Sequence, residues 1–325
     1  DQAIADAVIS ERMVMSGAKL GPLHGVPIAV KDMEETAGIR TTFGSLLFEN
    51  HIPNTDSLLV KRIRDAGALI LGKTNTPEFA QSGTTENRLL DACRNPWDIT
   101  RTSGGSSGGS AAALASGLCA LATGSDAGGS IRIPASFCGV YGIKPTLGRV
   151  PALEAVARPA PNHTNQSGPM STTVKDSAIL LQVLAGPDDR DVTALRQQPP
   201  DYLTDLQGGV EDLRIAWSPD LGYASVDAEV INIAYESAKV FEELGAIVEE
   251  PNIKIIEHYD LETPIASTVF YVQYSHLLQG HSSELTDYVR DYLEKATRIT
   301  AADYARSLHR LEQIQFQISN LMETY

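Results

Sequence analysis

Apolar and polar positions divide the chain into short alternating blocks. Over residues 1–17, Ile4, Val8, Met13 and Val14 recur before Gly17, which predicts an amphipathic helix. Val26-Pro27-Ile28-Ala29-Val30 is an apolar run and predicts a strand that stops at Lys31-Asp32. Residues 55–66 predict a helix capped by Thr55 or Asp56 and ended by Gly67. Residues 68–71 follow as a strand, and 72–75 as a loop in which Lys73 reads as an ordinary loop lysine. Residues 95–103 read as a loop. A small-residue helix then ends at Gly117, and Leu118-Cys119-Ala120-Leu121-Ala122 reads as a buried strand.

Beyond Thr146, Pro151, Pro159 and Pro161 mark residues 149–167 as a long surface loop. A helix is predicted over 171–185, then a polar excursion over 187–209. A strand over 213–217, a helix from Asp227 to Leu244 closed by Gly245, and a strand over 246–248 form a βαβ unit, which predicts a parallel sheet. Residues 260–281 and 284–325 read as mostly helical. Phe270, Tyr271 and Tyr274 there suit a core better than a substrate pocket. This alternation predicts an α/β layer architecture. With no internal repeat, residues 1–325 read as a single domain.

Charge narrows the function. A formal net charge of −15 disfavours nucleic acid or an anionic membrane surface as partner. No stretch approaches the roughly 20 apolar residues of a membrane span. Three cysteines, Cys93, Cys119 and Cys138, make no even disulfide framework, so a reducing, cytoplasmic location is expected. No Cys/His spacing predicts a zinc site.

The candidate chemistry lies in two Gly/Ser clusters, residues 104–110 and 124–130, flanking the small-residue helix and strand. A Gly/Ser run alone reads as a flexible linker, but here regular elements begin at once on either side. No Lys-Ser/Thr follows the glycines as a P-loop requires, and no G-x-G-x-x-G opens a helix after a strand. Gly104-x-Ser106-x-Gly108 fits the nucleophile elbow of α/β-hydrolases formally, yet that motif needs a buried strand just before it. Lys31-Asp32 is open to two readings: a solvated turn, or a lysine at the end of a buried strand, where desolvation favours the neutral amine.

In this order, the motifs resemble the amidase signature family of serine amide hydrolases. They are Gly104-Gly105-Ser106-Ser107-Gly108-Gly109, then Ser125-Asp126-Ala127-Gly128-Gly129-Ser130-Ile131-Arg132, then Phe137-Cys138-Gly139-Val140-Tyr141-Gly142-Ile143-Lys144-Pro145-Thr146. The likeness reaches back to Leu23-His24-Gly25-Val26-Pro27 and forward to Gly168-Pro169-Met170-Ser171, about half the chain, with a signature core over 21–175. Glu78 and Phe79 match a scaffold segment. The resemblance implies an α/β fold with a mixed, largely parallel central sheet and helices on both faces. It also implies more chain at both ends than these residues supply.

By that resemblance Ser130 is the acylated nucleophile, Ser106 the bridging serine after a cis peptide bond, and Lys31 the neutral lysine base. Backbone N–H groups of Ala127, Gly128, Gly129 and Ser130 form the oxyanion hole, where glycine leaves room for a nest. Asp126 and Arg132 brace the loop, and Ser107 is a spectator or assists by hydrogen bonding. None of the 7 histidines lies in a motif that suggests a base. No metal or organic cofactor is implied.

The expected substrate is a small-molecule amide, with esters and carbamates also considered; a homo-oligomer is left open. One branch of the family is the glutaminase subunit of a tRNA-dependent amidotransferase, which continues after G-R-V with a Ser-Arg-Tyr-Gly-like segment. Here Gly148-Arg149-Val150 runs into Pro151-Ala152-Leu153-Glu154, so a stand-alone amidase is expected. The rival readings are an α/β-hydrolase using Ser106 with His258 or His276, and an inactive binding subunit.

Overall fold

The computed structural model describes residues 2–151, 164–255 and 259–325. In chain order the elements are α1 (Gln2–Met15), β1 (Pro27–Lys31), α2 (Leu58–Asp65), β2 (Leu69–Thr74), β3 (Arg94–Asn95), β4 (Asp98–Thr102), α3 (Gly108–Ala115), β5 (Leu121–Asp126) and α4 (Arg132–Cys138). There follow β6 (Tyr141–Gly142), β7 (Gln166–Ser171), α5 (Val174–Leu184), α6 (Tyr202–Asp205), β8 (Arg214–Ala216), α7 (Ala228–Glu243) and β9 (Ile247–Glu249). The last are α8 (Tyr259–Tyr274), α9 (Leu278–His281), α10 (Asp287–Ala296) and α11 (Ala301–Met322).

The central sheet has the order β2-β1-β5-β7-β6. Strand β1 is parallel to β2 and β5, whereas β7 is antiparallel to both β5 and β6. The sheet is therefore mixed and largely parallel, as expected, with β7 alone reversed. Successive strand residues face opposite sides, and the two cores follow that alternation. Ile28 and Val30 pack with Leu59, Val60 and Ile63 of α2 and Leu180, Leu181 and Leu184 of α5. Ala29 and Ala122 pack with Ala111 and Leu114 of α3, Ile131, Ala135 of α4 and Met170 of β7. Helices thus cover both faces. Each large aliphatic side chain buried this way contributes about 1.5–3 kcal/mol.

Several boundaries differ from the sequence reading, for reasons of pairing. Strand β2 continues through Gly72, Lys73 and Thr74 because β1 supplies partners up to Lys31↔Thr74; these residues are not a loop. Strand β5 runs into the second glycine cluster, paired with β7 as far as Asp126↔Gln166. Gly124 belongs to that strand through its pairing with Gly168, and it is glycine because a side chain there would come within 2.7 Å of Ile131 and 3.0 Å of Met170. Residues read as a loop over 95–103 form most of the β3–β4 hairpin, whose exposed Ile99 gives no burial pattern. Ser57, accepting from the Val60 N–H, caps α2 in place of Thr55 or Asp56; Asp56 instead accepts from the Ala37 N–H at 2.7 Å. The predicted βαβ unit is present, with β8 and β9 parallel, but it forms its own two-stranded sheet. Of the proposed 149–167 loop, residues 152–163 lie outside the described residues, and 166–167 already belong to β7.

Contacts group the chain into two compact units, Asp1–Asp205 with His276–Asp291, and Leu206–Ser275 with Tyr292–Tyr325. In the first, buried Glu78 accepts from Ser45 Oγ at 2.6 Å and from the Thr286 N–H at 2.7 Å, fastening residues 276–291 to the sheet-bearing part. In the second, Phe270 and Tyr274 are buried, with Phe270 4.6 Å from Tyr274 and 5.5 Å from Tyr292 between ring centroids. They are core residues of that unit. Among the described residues, no helix is long and apolar enough to cross a membrane.

Helix α3 approaches the end of β2 so closely that a side chain on Gly109 would lie 2.4 Å from the Asn75 nitrogen and 2.5 Å from its carbonyl oxygen. Both are backbone atoms and cannot step aside. Gly109→Ala is therefore expected to destabilise by about 1–3 kcal/mol, measured by urea unfolding followed by circular dichroism.

Candidate active site

Lys31 ends β1 and shares the strand face of Ala29, two residues earlier, which points into the core under α3 and α4. Its side chain is wholly buried. The loop that opens α3 comes to meet it. Gly104 takes φ +76°, the Gly105–Ser106 peptide bond is cis, and Ser107 occupies the N-cap position without using its hydroxyl to cap. Both hydroxyls turn to the lysine instead. Lys31 Nζ lies 2.7 Å from Ser106 Oγ, 2.9 Å from Ser107 Oγ and 3.0 Å from Ser125 Oγ.

Burial pulls the Lys31 pKa down from 10.5 to about 7, against the opposing pull of the Asp126 and Glu34 carboxylates. A large neutral fraction is thus present near neutrality. The buried-strand reading of Lys31 is the one the structure bears out, and the solvated turn is not.

The second glycine loop is built around Asp126, whose side chain is buried. It accepts from the Gly129 N–H at 2.7 Å, the Ile131 N–H at 3.0 Å, and Arg132 Nε and Nη2 at 2.9 and 2.8 Å. Burial by itself would raise its pKa, but the Arg132 hydrogen bonds and those from Ile131 and Gly129 outweigh it and hold the carboxyl at about 2. Asp126 and Arg132 therefore fix the turn through residues 127–131. The Gly129 N–H is taken by Asp126, whereas the N–H groups of Ala127, Gly128 and Ser130 have no acceptor among the described residues.

The two loops are joined through the main chain: the Ser107 N–H donates to the Ser130 carbonyl at 3.0 Å. Ser130 is half-buried, two residues before α4. Its hydroxyl makes no hydrogen bond among the described residues, so of the expected Lys31–Ser106–Ser130 chain only the first step is hydrogen-bonded here.

Two residues carry more than the sequence suggests. Lys73 is not a loop lysine. Its ammonium donates to the Glu34 carbonyl, to Thr36 Oγ1 at 3.0 Å and to Thr41 Oγ1 at 3.1 Å, and lies 3.6 Å from Asp32. Burial lowers its pKa to about 8 against the pull of Asp32, Glu34 and Glu35. Ser125 stands in the sequence only as part of a glycine cluster, yet its hydroxyl reaches the lysine. The available signal was its place beside Asp126 on a strand next to β1.

Residues 1–323 match the family model for amidases. The chain belongs to the amidase family. An acylamidase of Rhodococcus erythropolis is 38% identical over 309 residues, covering 94% of this chain and 64% of that protein. A glutamyl-tRNA(Gln) amidotransferase subunit of Trichodesmium erythraeum is 46% identical over 252 residues, covering 77% of this chain and 52% of that one. Among solved structures, a bacterial aryl acylamidase of the amidase signature family superposes with a TM-score of 0.93 at 28% identity, over 100% of this chain and 69% of that one. The chain thus spans less than two thirds of the length of these curated amidase relatives. The α/β-hydrolase reading is set aside by family membership. It also fails locally: β4 is an exposed hairpin strand, Ser106 bonds Lys31, and His276 is exposed; His258 lies outside the described residues.

The buried lysine has a thermodynamic signature. Between pH 7 and 10.5 the unfolded chain binds the Lys31 proton and the folded one releases it. Stability should therefore rise with pH across that window, by up to about 1.4 kcal/mol per pH unit from this group. Lys31→Met should flatten that rise, measured as urea midpoints from pH 7 to 10.

Proposed function

We propose that this protein hydrolyses carboxamides through an acyl-enzyme on Ser130. The observation that carries the proposal is the buried Lys31, its pKa lowered to about 7, held 2.7 Å from Ser106 in a member of the amidase family. A neutral amine accepts a proton; an ammonium cannot. In this reading Ser130 Oγ attacks the carbonyl carbon as its proton passes to Ser106, whose own proton passes to Lys31. The carbonyl electron pair moves onto oxygen, stabilised by the N–H groups of Ala127, Gly128 and Ser130. When the tetrahedral species collapses, the C–N bond breaks and the proton returns through Ser106 to the departing amine. Water then repeats the sequence on the ester and releases the acid. Gly129 takes φ +115° and directs its N–H to Asp126, which supports a shaping role.

Lys31→Ala removes both base and acid, so amide turnover should fall about 10²–10⁴-fold, and ester turnover less, because an alkoxide leaves without protonation. Lys31→Arg should not rescue, since arginine stays charged. Labelling with a fluorophosphonate followed by mass spectrometry should place the adduct on Ser130; an adduct on Ser106, Ser107 or Ser110 would sink the assignment. The acid limb of amide kcat/KM should fall about tenfold per pH unit well below pH 7, as Lys31 takes its proton.

We favour a stand-alone acylamidase, with anilides and other small amides as substrates. The acylamidase relative, the fit to an aryl acylamidase fold and the departure after Val150 support this. The amidotransferase relative at 46% identity supports a second reading, glutamine hydrolysis inside a complex. Release of ammonia from glutamine with no anilide cleavage would favour it.

A further inference from the structure

We propose that Ser125 is a positioning residue that, with Ser107, aims the lone pair of Lys31 at Ser106. The inference rests on Lys31 acting as the base. A neutral amine has two N–H bonds and one lone pair; an ammonium has three N–H bonds and none. Three hydroxyls surround Lys31 Nζ: Ser106 at 2.7 Å, Ser107 at 2.9 Å and Ser125 at 3.0 Å. If two of them take the amine's N–H bonds, the lone pair must face the third.

The contacts of Ser107 and the direction of the proposed proton transfer together decide which is the third. Ser107 Oγ donates to the Ser125 carbonyl at 3.4 Å and accepts from the Ser125 N–H at 3.3 Å, so its remaining lone pair is left for the lysine. Ser125 Oγ has Lys31 as its partner, and its carbonyl lies 3.4 Å from Nζ. Ser106 Oγ also has Lys31 as its partner, and it is the hydroxyl whose proton must move. The amine thus donates to Ser107 and Ser125 and accepts from Ser106. Once protonated, it finds the three hydroxyls and the Ser125 carbonyl already in place as acceptors. Ser125 therefore holds the base in register and favours its charged form. The charges facing Lys31 are Asp126, on the same strand as Ser125, and Glu34, beyond the end of β1; both are left in place when Ser125 is changed. The Asp32–Lys73 pair sits beside the same turn. Ser125 pairs with Ser167 through the backbone, so removing its hydroxyl leaves β5 intact.

The test compares Ser125→Ala with Ser125→Thr in the full chain, using an amide and an ester of the same acyl group across pH 5–9. Ser125→Ala should lower amide kcat about tenfold with KM little changed, and ester kcat less. Loss of one hydrogen bond to the ammonium should move the acid limb down by about one pH unit. Ser125→Thr, which keeps the hydroxyl, should restore limb and rate. An unshifted limb with an unchanged amide-to-ester ratio in Ser125→Ala overturns the proposal, as does a threonine variant that behaves like alanine. Should the alanine variant not fold, Ser125→Cys reads the same quantity: a thiol accepts weakly, so the limb should move the same way, and an unmoved limb counts against the proposal. Fluorophosphonate labelling of Ser130→Ala separates the two levels. Labelling that persists there strikes the acyl-enzyme on Ser130, whatever Ser125 does.

Discussion

Everything at this site depends on taking one amine out of water. Lys31 has no exposed surface, and the loss of hydration outweighs the attraction of two nearby carboxylates. That balance matters because either side could have won. An unopposed burial would leave the amine too weak a base to hold a proton; a closer carboxylate would keep it charged. Asp126, the carboxylate that pulls on it most strongly, is occupied by Arg132 and the backbone of its own loop. Its charge is engaged in folding that loop.

The sheet makes room for this burial. Small residues on one face of β1 and β5, Ala29 and Ala122, let α3 and α4 come close. Larger ones on the other face, Ile28 and Val30, pack against α2 and α5. Close packing on the small-residue side is what brings Ser106 and Ser107 within reach of a lysine that begins on the strand. The unequal faces of a five-residue strand thus set the position of the chemistry.

Much of this is legible in the sequence because it rests on local constraints. The glycine clusters announce backbone that must bend or approach closely, and an apolar run ending in lysine announces a desolvated amine. The order of the motifs identifies the family and, with it, the cis bond before Ser106. What escapes depends on partners distant in sequence. Lys73 looks like a loop residue until β1 extends the strand past Gly72. Ser125 stands beside Asp126 in the chain, but its role follows from adjacency to Lys31, which only the sheet creates. The parallel pairing of β8 and β9 can be read from the βαβ pattern, but no residue pattern states that the pair forms a two-stranded sheet of its own. The bond from the Gly129 N–H to Asp126 is likewise a detail of turn geometry that glycine content alone does not encode.

One contact between the two glycine loops runs from the Ser107 N–H to the Ser130 carbonyl and uses no side chain. Its consequence is a separation of duties. This main-chain bond helps keep the loops in register, while the hydroxyls of Ser106 and Ser130 are left to the chemistry. Replacing one of those hydroxyls therefore alters reactivity without unfastening the framework that presents it. A lineage can revise its reaction here one atom at a time and keep the mould in which each revision is tried.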